Sequence, residues 1–208
     1  MLKDDDFVIS INPNELSAND NYKFLIGSVI PRPIALITTM SEKGLLNAAP
    51  FSYFNVVSTN PPLLAVSIGR RNGKMKDTST NITKTKEFVI HIVDESIVDD
   101  MNETAATLPE ERNEIDLTSF VTIKSEHVNV PAIKQAKIRM ECVLEKHVPL
   151  GDKPVSNDLI IGKVVQYHIK NDIYQDGKVD PLALAPVSRL AGHYYGNLGK
   201  IYEIERPK

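Results

Sequence analysis

The stretch Lys137-Ile138-Arg139-Met140-Glu141-Cys142-Val143-Leu144-Glu145-Lys146-His147-Val148 decides the fold. Ile138, Met140, Cys142 and Leu144 alternate with the charged Lys137, Arg139, Glu141 and Glu145. Side chains of a strand point to opposite faces in turn, so this alternation specifies a half-buried strand over 137–148. A comparable pattern returns at 158–170, and the link between the two, 151–157, is Gly-Asp-Lys-Pro-Val-Ser-Asn. Parallel strands need a long crossover, so a link this short makes a hairpin of antiparallel strands.

Working outward, Tyr22, Phe24, Leu25, Ile26 and Val29 keep mixed three and four spacing, which predicts a short helix over 17–29 with Asn19 or Asp20 as cap. Pro31 and Pro33 stop it. Residues 34–39, Ile-Ala-Leu-Ile-Thr-Thr, predict a buried strand closed by a turn at 41–44. Further strands are expected at 51–57 and 63–68, a polar loop at 70–76, a helix over 78–86 capped by Asp77, Thr78 or Ser79, and a strand at 87–93. The acidic interval 94–117 carries Ile97, Met101, Ala105 and Leu108 at helical spacing, which predicts one helix ending before Pro109 and a shorter one beyond. Strands in runs, with helices between the runs, argue for a mainly β antiparallel barrel with helical insertions and against a doubly wound sheet. One domain is expected over 1–208, with a helical insertion around 94–117 and a C-terminal extension around 171–208.

The 208 residues are 42% hydrophobic and 25% charged, the balance of a globular chain with a real core. Lys and Arg total 24 against 27 Asp and Glu, so the net charge of −3 offers no global field to nucleic acid or to an anionic membrane, and any anion site must be local. The single cysteine, Cys142, excludes an internal disulfide framework and a Cys-rich metal site, and its phase with the apolar residues predicts a buried, inert thiol. The five histidines lack the spacing of a helical metal site, so no metal is expected. The N-terminus is acidic where a signal peptide would be basic, and no apolar run approaches the ~18 residues of a membrane span, so a cytoplasmic protein is expected. Neither a dinucleotide fingerprint nor a P-loop is present.

The segment Arg32-Pro33-Ile34-Ala35-Leu36-Ile37-Thr38-Thr39, followed by Gly44-Leu45-Leu46-Asn47-Ala48-Ala49-Pro50-Phe51-Ser52-Tyr53-Phe54-Asn55, Pro61-Pro62, Ser67-Ile68 and Lys76-Asp77-Thr78-Ser79-Thr80-Asn81-Ile82, has a distinctive order and spacing. Together with Pro186-Val187-Ser188-Arg189-Leu190-Ala191-Gly192-His193-Tyr194-Tyr195, it resembles the flavin reductase-like family of FMN-binding split barrels, in the branch of nitrilotriacetate monooxygenase component B and flavoredoxin. The resemblance is dense over 22–93 and returns at the late strands. It implies an antiparallel, Greek-key-like split barrel that binds FMN and takes electrons from NADH or NADPH.

The resemblance also implies site residues. An FMN phosphate is nearly a dianion and needs clustered donors. Lys76 with Asp77, Thr78 and Ser79 at a helix start offers an ammonium, hydroxyls and free amides, and Arg32 adds a guanidinium. A plain helix cap beside a solvated lysine is the ordinary alternative. Asn47, Ala48, Ala49, Ser52, Tyr53, Phe54 and Asn55 suit a flat heteroaromatic ring with polar edges, with Thr38, Thr39 and Ser67 beside them, although a tight strand connection at Pro50 explains the same residues. Arg189, His193 and Tyr194 are the candidates near the flavin ring, against the alternative of a solvated Arg and a packed aromatic pair.

The activity implied is that of an NAD(P)H:FMN oxidoreductase supplying reduced flavin to a monooxygenase. The alternatives are a flavoredoxin-type carrier exchanging electrons with a protein, and a non-catalytic FMN-binding protein. A homodimer with flavin near the subunit boundary is expected on the resemblance. It is also expected because a continuous strand through Phe51, Tyr53 and Phe54 sends aromatic rings to both faces.

Overall fold

The computed structural model describes residues 8–106, 108, 112–152 and 154–207. Seven antiparallel strands form one sheet: β1 (Ala35–Met40), β2 (Leu46–Phe51), β3 (Phe54–Thr59), β4 (Pro62–Gly69), β5 (Glu87–Ile92), β6 (Ile138–Leu150) and β7 (Asn157–Ile169). The order across the sheet is β2-β1-β5-β6-β7-β4-β3. Its two edge strands, β2 and β3, are consecutive in the chain and separated only by Ser52 and Tyr53. Two residues span only about 7 Å, so the sheet must curl until its edges meet, which makes it a split β-barrel. The Ser67 amide donates to the Tyr53 carbonyl at 2.8 Å across this corner.

The barrel interior is filled by the inward residues of the alternation. Ala35, Ile37, Phe88, Ile90, Cys142, Ile160, Leu64, Val66 and Ile68 meet Phe51 and Phe54 there, and Ile82 of helix α2 (Asp77–Thr85) packs against them. Gly162 on β7 leaves room for the Phe88 ring: a Cβ built there lies 3.1 and 3.2 Å from two ring carbons and closer still to Cζ. A second core lies outside the barrel, where Leu36 and Ala48 meet Ile97, Met101, Ile115, Phe120 and Ile133. Residues 35–39 are therefore buried on both faces, which is why Ala35, Leu36 and Ile37 are apolar without alternation, and the buried Thr38 and Thr39 that follow have their hydroxyls hydrogen-bonded.

Several expectations are corrected. The expected strand 51–57 is two elements, because β2 ends at Phe51 and β3 begins at Phe54. The corner at Ser52 and Tyr53 resets the alternation, so Phe51 and Phe54 both enter the core while Tyr53 remains 40% exposed. The aromatic rings thus do not divide between two faces as a continuous strand requires. The insertion holds only a short helix, α3 (Val98–Glu103), and a 3-10 turn at Glu114–Leu117. The expected helix end at Pro109 lies outside the described residues. Helix α2 carries no side-chain cap: Lys76 occupies the cap position, while Thr78 and Ser79 fall in its first turn and are buried. Helix α1 (Ala18–Ser28) is capped by Ser17, whose hydroxyl accepts from the Asp20 amide at 3.1 Å, rather than by Asn19 or Asp20.

Glu141 breaks the expected alternation. It is fully buried and accepts backbone N–H bonds from Glu126, His127 and Val128, with His168 Nε2 at 2.7 Å. Burial alone would raise its pKa, but these donors outweigh it and hold the carboxyl below its ordinary value. Cys142 is fully buried, and desolvation pushes its thiol pKa well up, as an inert thiol requires.

Candidate functional site

A cleft of about 1530 Å³ opens where the barrel seam, α1, α3 and the C-terminal segment meet. The barrel contributes Pro50, Phe51, Ser52, Tyr53 and Ser67, and α1 contributes Tyr22 and Ile26. The C-terminal segment contributes Val187, Arg189, Gly192, His193 and Tyr195. The corner interrupts the ladder at Ser52 and Tyr53, where the Tyr53 carbonyl is taken by the Ser67 amide and both residues line the cleft.

One end of the cleft is cationic. Arg70 and Lys76 line it, beside Ser156 and Asn157 of the β6–β7 hairpin. Asn157 Nδ2 donates to Ser67 Oγ at 3.0 Å, and Lys76 Nζ stands 5.8 Å from the centre of the Phe51 ring. Lys76 as a residue is exposed, yet the protein packed around its ammonium lowers its pKa, by desolvation first and by the charge of Arg71 second. An anion beside it would relieve that penalty. Glu95, Asp99 and Glu103, on and beside α3, also line the cleft.

The sequence-predicted residues divide into two groups. The cleft gathers Arg32, Ser52, Tyr53, Ser67, Lys76, Arg189 and His193. Arg189 lies with its guanidinium carbon 4.5 Å from the centre of the Tyr195 ring, donates to the Tyr195 hydroxyl, and donates from Nη2 to the Gly192 carbonyl at 2.6 Å. The Tyr195 hydroxyl in turn donates to Asn102 on α3 at 3.2 Å. Tyr194 is 74% exposed and does not line the cleft.

The others lie elsewhere. Thr38 is fully buried and donates to the Pro131 carbonyl at 2.8 Å. Asn47 donates to both Thr39 and Thr78, and Asn81 adds a bond to Thr39, so these four knit α2 to the barrel wall. The Ala48 amide donates to Glu114 at 3.1 Å, and burial raises the pKa of that carboxyl. Asn47 and Asp77 line a separate recess of about 280 Å³, shared with Lys84, Arg112 and Glu114. Ala49 packs against the barrel core, Phe54 lies within it, and Asn55 accepts from the neighbouring Val56 amide at 2.8 Å.

Arg32 has a role that the sequence did not disclose. Its Nη1 donates to the carbonyls of Ile26 and Val29 at 2.7 Å each, and its Nη2 to Leu190 at 2.9 Å. The fork closes the C-terminus of α1 and ties down the C-terminal segment, while its Nε is buried without a partner among the described residues. Conversely, Arg70, Ser156, Asn157 and the α3 residues were not anticipated as lining. The consecutive Arg70-Arg71 between a strand and a helix was the one local signal for them; Asn157 and α3 are brought in only by topology.

A phosphate-bearing flavin fits this donor set. The first amides of α2 have no intrahelical acceptor and no side-chain cap, the Ser79 hydroxyl is fully buried without a partner among the described residues, and Lys76 stands at the same helix end. No group of three or more His, Cys, Asp or Glu among the described residues is placed to hold a metal ion, and none of the described helices is long and apolar enough to cross a membrane.

The seven strands closed at a two-residue corner, with a cleft along the seam, define a split-barrel protein of the flavin reductase type. The chain belongs to the flavin reductase like domain family, whose model matches residues 26–185. Nitrilotriacetate monooxygenase component B from Bacillus cereus is 50% identical, with 95% of this chain and 99% of that chain covered at a TM-score of 0.94. The 2-nitrobenzoate 2-nitroreductase NbaA of Pseudomonas fluorescens is 29% identical, with 96% of each chain covered at a TM-score of 0.86. YwrF of Bacillus subtilis is 46% identical over 198 residues, which are 93% of this chain and 97% of that protein.

Proposed function

We propose that this protein binds FMN in the seam cleft and reduces it with NADH or NADPH, as a flavin reductase that hands reduced flavin to a monooxygenase. The observation that carries the reading is the cationic end of the cleft, where Lys76 and the uncapped start of α2 meet Arg70 beside the polar corner at Ser52 and Tyr53. FMN supplies the hydride-accepting ring. The chain's own residues bind and orient. Lys76 and the α2 amides hold the phosphate, Ser52 and Tyr53 meet the polar edge of the ring, and Arg189 with His193 borders the space left for the nicotinamide nucleotide. At about 1530 Å³ the cleft exceeds the usual volume for one small ligand, up to roughly 1,000 Å³, which suits two partners stacked for transfer.

The same reading includes a homodimer. Tyr22, Phe24, Leu25, Val29 and Ile30 on and after α1 are each at least 48% exposed, and Tyr22 also lines the cleft. Apolar surface of this extent beside a ligand site suits an isologous contact.

Titration of the purified protein with FMN tests the reading. A perturbed visible flavin band saturating at one FMN per chain is expected, and a spectrum that remains that of free FMN throughout would overturn it.

A further inference from the structure

Arg70 is held from behind by the buried Asp158 and the half-buried His147, neither of which lines the cleft. Its Nε donates to Asp158 Oδ2 at 3.0 Å and its Nη2 to Oδ1 at 2.7 Å, while Nη1 donates to the Gly73 carbonyl at 3.3 Å. The Arg70 amide is fixed as well, donating to the Ser156 carbonyl at 2.7 Å. Asp158 is fully buried, and its Oδ1 also meets His147 Nε2 at 2.8 Å. Burial by itself would raise the Asp158 pKa, but the bonds from Arg70 and His147 outweigh it and keep the carboxyl ionised. An ionised carboxylate only accepts, so His147 Nε2 carries the hydrogen.

A guanidinium has five N–H groups. Two of them serve Asp158 and one serves Gly73, which among the described residues leaves one each on Nη1 and Nη2. Adjacent nitrogens with one free N–H each match two oxygens of a phosphate. Arg70 lines the cleft and its side chain retains 17% exposure. His147 fixes the plane of the carboxylate, and the carboxylate fixes the fork.

We propose that Arg70 recognises a phosphate in the cleft and that His147, acting through Asp158, is the positioning residue that holds the Arg70 fork in its binding orientation. This rests on the flavin reading of the cleft. Two sources share the chemistry, the 5′-phosphate of FMN and the pyrophosphate of a nicotinamide nucleotide.

The test compares wild type with Arg70→Lys, His147→Leu and His147→Gln. The readouts are the affinity ratio of FMN to riboflavin, and the KM for NADH against kcat at saturating FMN. If the phosphate is the flavin's, Arg70→Lys lowers the ratio by about tenfold or more; if it is the nucleotide's, KM rises by that factor with kcat unchanged. His147→Leu is expected to move the same quantity several-fold with Arg70 intact, and His147→Gln, which keeps an N–H toward Asp158, restores it. Asp158→Asn replaces His147→Leu if the latter does not fold, with the same shift expected. Failure of His147→Leu to move either quantity, equal losses for FMN and riboflavin with no change in KM, or no restoration by glutamine overturns the inference. Wild type that binds FMN while the variants change nothing overturns this inference alone. Wild type that takes up neither flavin overturns the reading of the cleft together with it.

Discussion

Arg32 and Leu190 are 158 positions apart in the chain, yet the Arg32 guanidinium donates from Nη2 to the Leu190 carbonyl at 2.9 Å, and the same fork holds the Ile26 and Val29 carbonyls at the end of α1. One side chain therefore joins two walls of the cleft to the short ribbon that pairs Arg32 with Arg189. Arg32→Lys replaces a fork by a single ammonium and leaves at least one carbonyl unmet. A stability loss of about 1–3 kcal/mol is expected from thermal unfolding. If the bonds to these three carbonyls, which shape the cleft, are the whole of its role, FMN and riboflavin should lose affinity by the same factor. A loss confined to FMN would restore Arg32 to the phosphate site.

Lys76→Ala should behave in the opposite way. Lys76 stands at the uncapped start of α2, and loss of a charge-assisted hydrogen bond costs about 1.5–3 kcal/mol, or roughly tenfold to a hundredfold in affinity. Riboflavin has no phosphate and should bind the variant as it binds wild type. Fluorescence titration with the two flavins measures both.

His91 sets a pH dependence of stability. It is fully buried, with Nδ1 2.9 Å from the Leu36 carbonyl and Nε2 accepting from the Ile133 amide at 2.9 Å, so the ring is neutral and spent on both sides. Desolvation lowers its pKa to about 4, against the Leu36 bond that favours the charged form. The unfolded chain binds its proton near pH 6.5 and the folded one only near pH 4. The contribution is therefore complete above pH 6.5 and is lost as pH falls through that window, by about 3 kcal/mol in all. Denaturant midpoints between pH 7 and 4 should fall more steeply for wild type than for His91→Gln.

The exposed apolar face of α1 predicts the assembly. Light scattering of wild type should give about twice 23.2 kDa. Phe24→Asp with Leu25→Asp, both residues being more than half exposed and outside the cleft, should give the single-chain mass and a weaker hold on FMN. A wild-type mass of 23.2 kDa with FMN fully bound would contradict it.

The antiparallel hairpin of β6 and β7 and the buried strand β1 were legible because their information is local: alternation in one case, and in the other a β-branched and apolar run without charged residues. The break between β2 and β3 was not, since Phe51-Ser52-Tyr53-Phe54 satisfies a strand pattern and only closure of the barrel forces a corner there. Burial of Glu141 and Asp158 was equally hidden, because a carboxylate in a strand reads as solvent-facing until its donors, from loops up to 88 residues away, are in place. In the site, Lys76, Ser52 and Tyr53 carried a visible signal. Asn47, Thr39 and Thr78 carried the same kind of signal but are engaged with one another, which pairing across the sheet decides and sequence does not.

The central claim, that the seam cleft transfers electrons from a nicotinamide nucleotide to FMN, is tested most directly by the visible spectrum of the FMN-loaded protein before and after anaerobic addition of NADH or NADPH. The account predicts that the flavin band bleaches at a catalytic rate with at least one of the two nucleotides. A stable yellow protein that neither nucleotide reduces, but that a protein electron donor does, would contradict it.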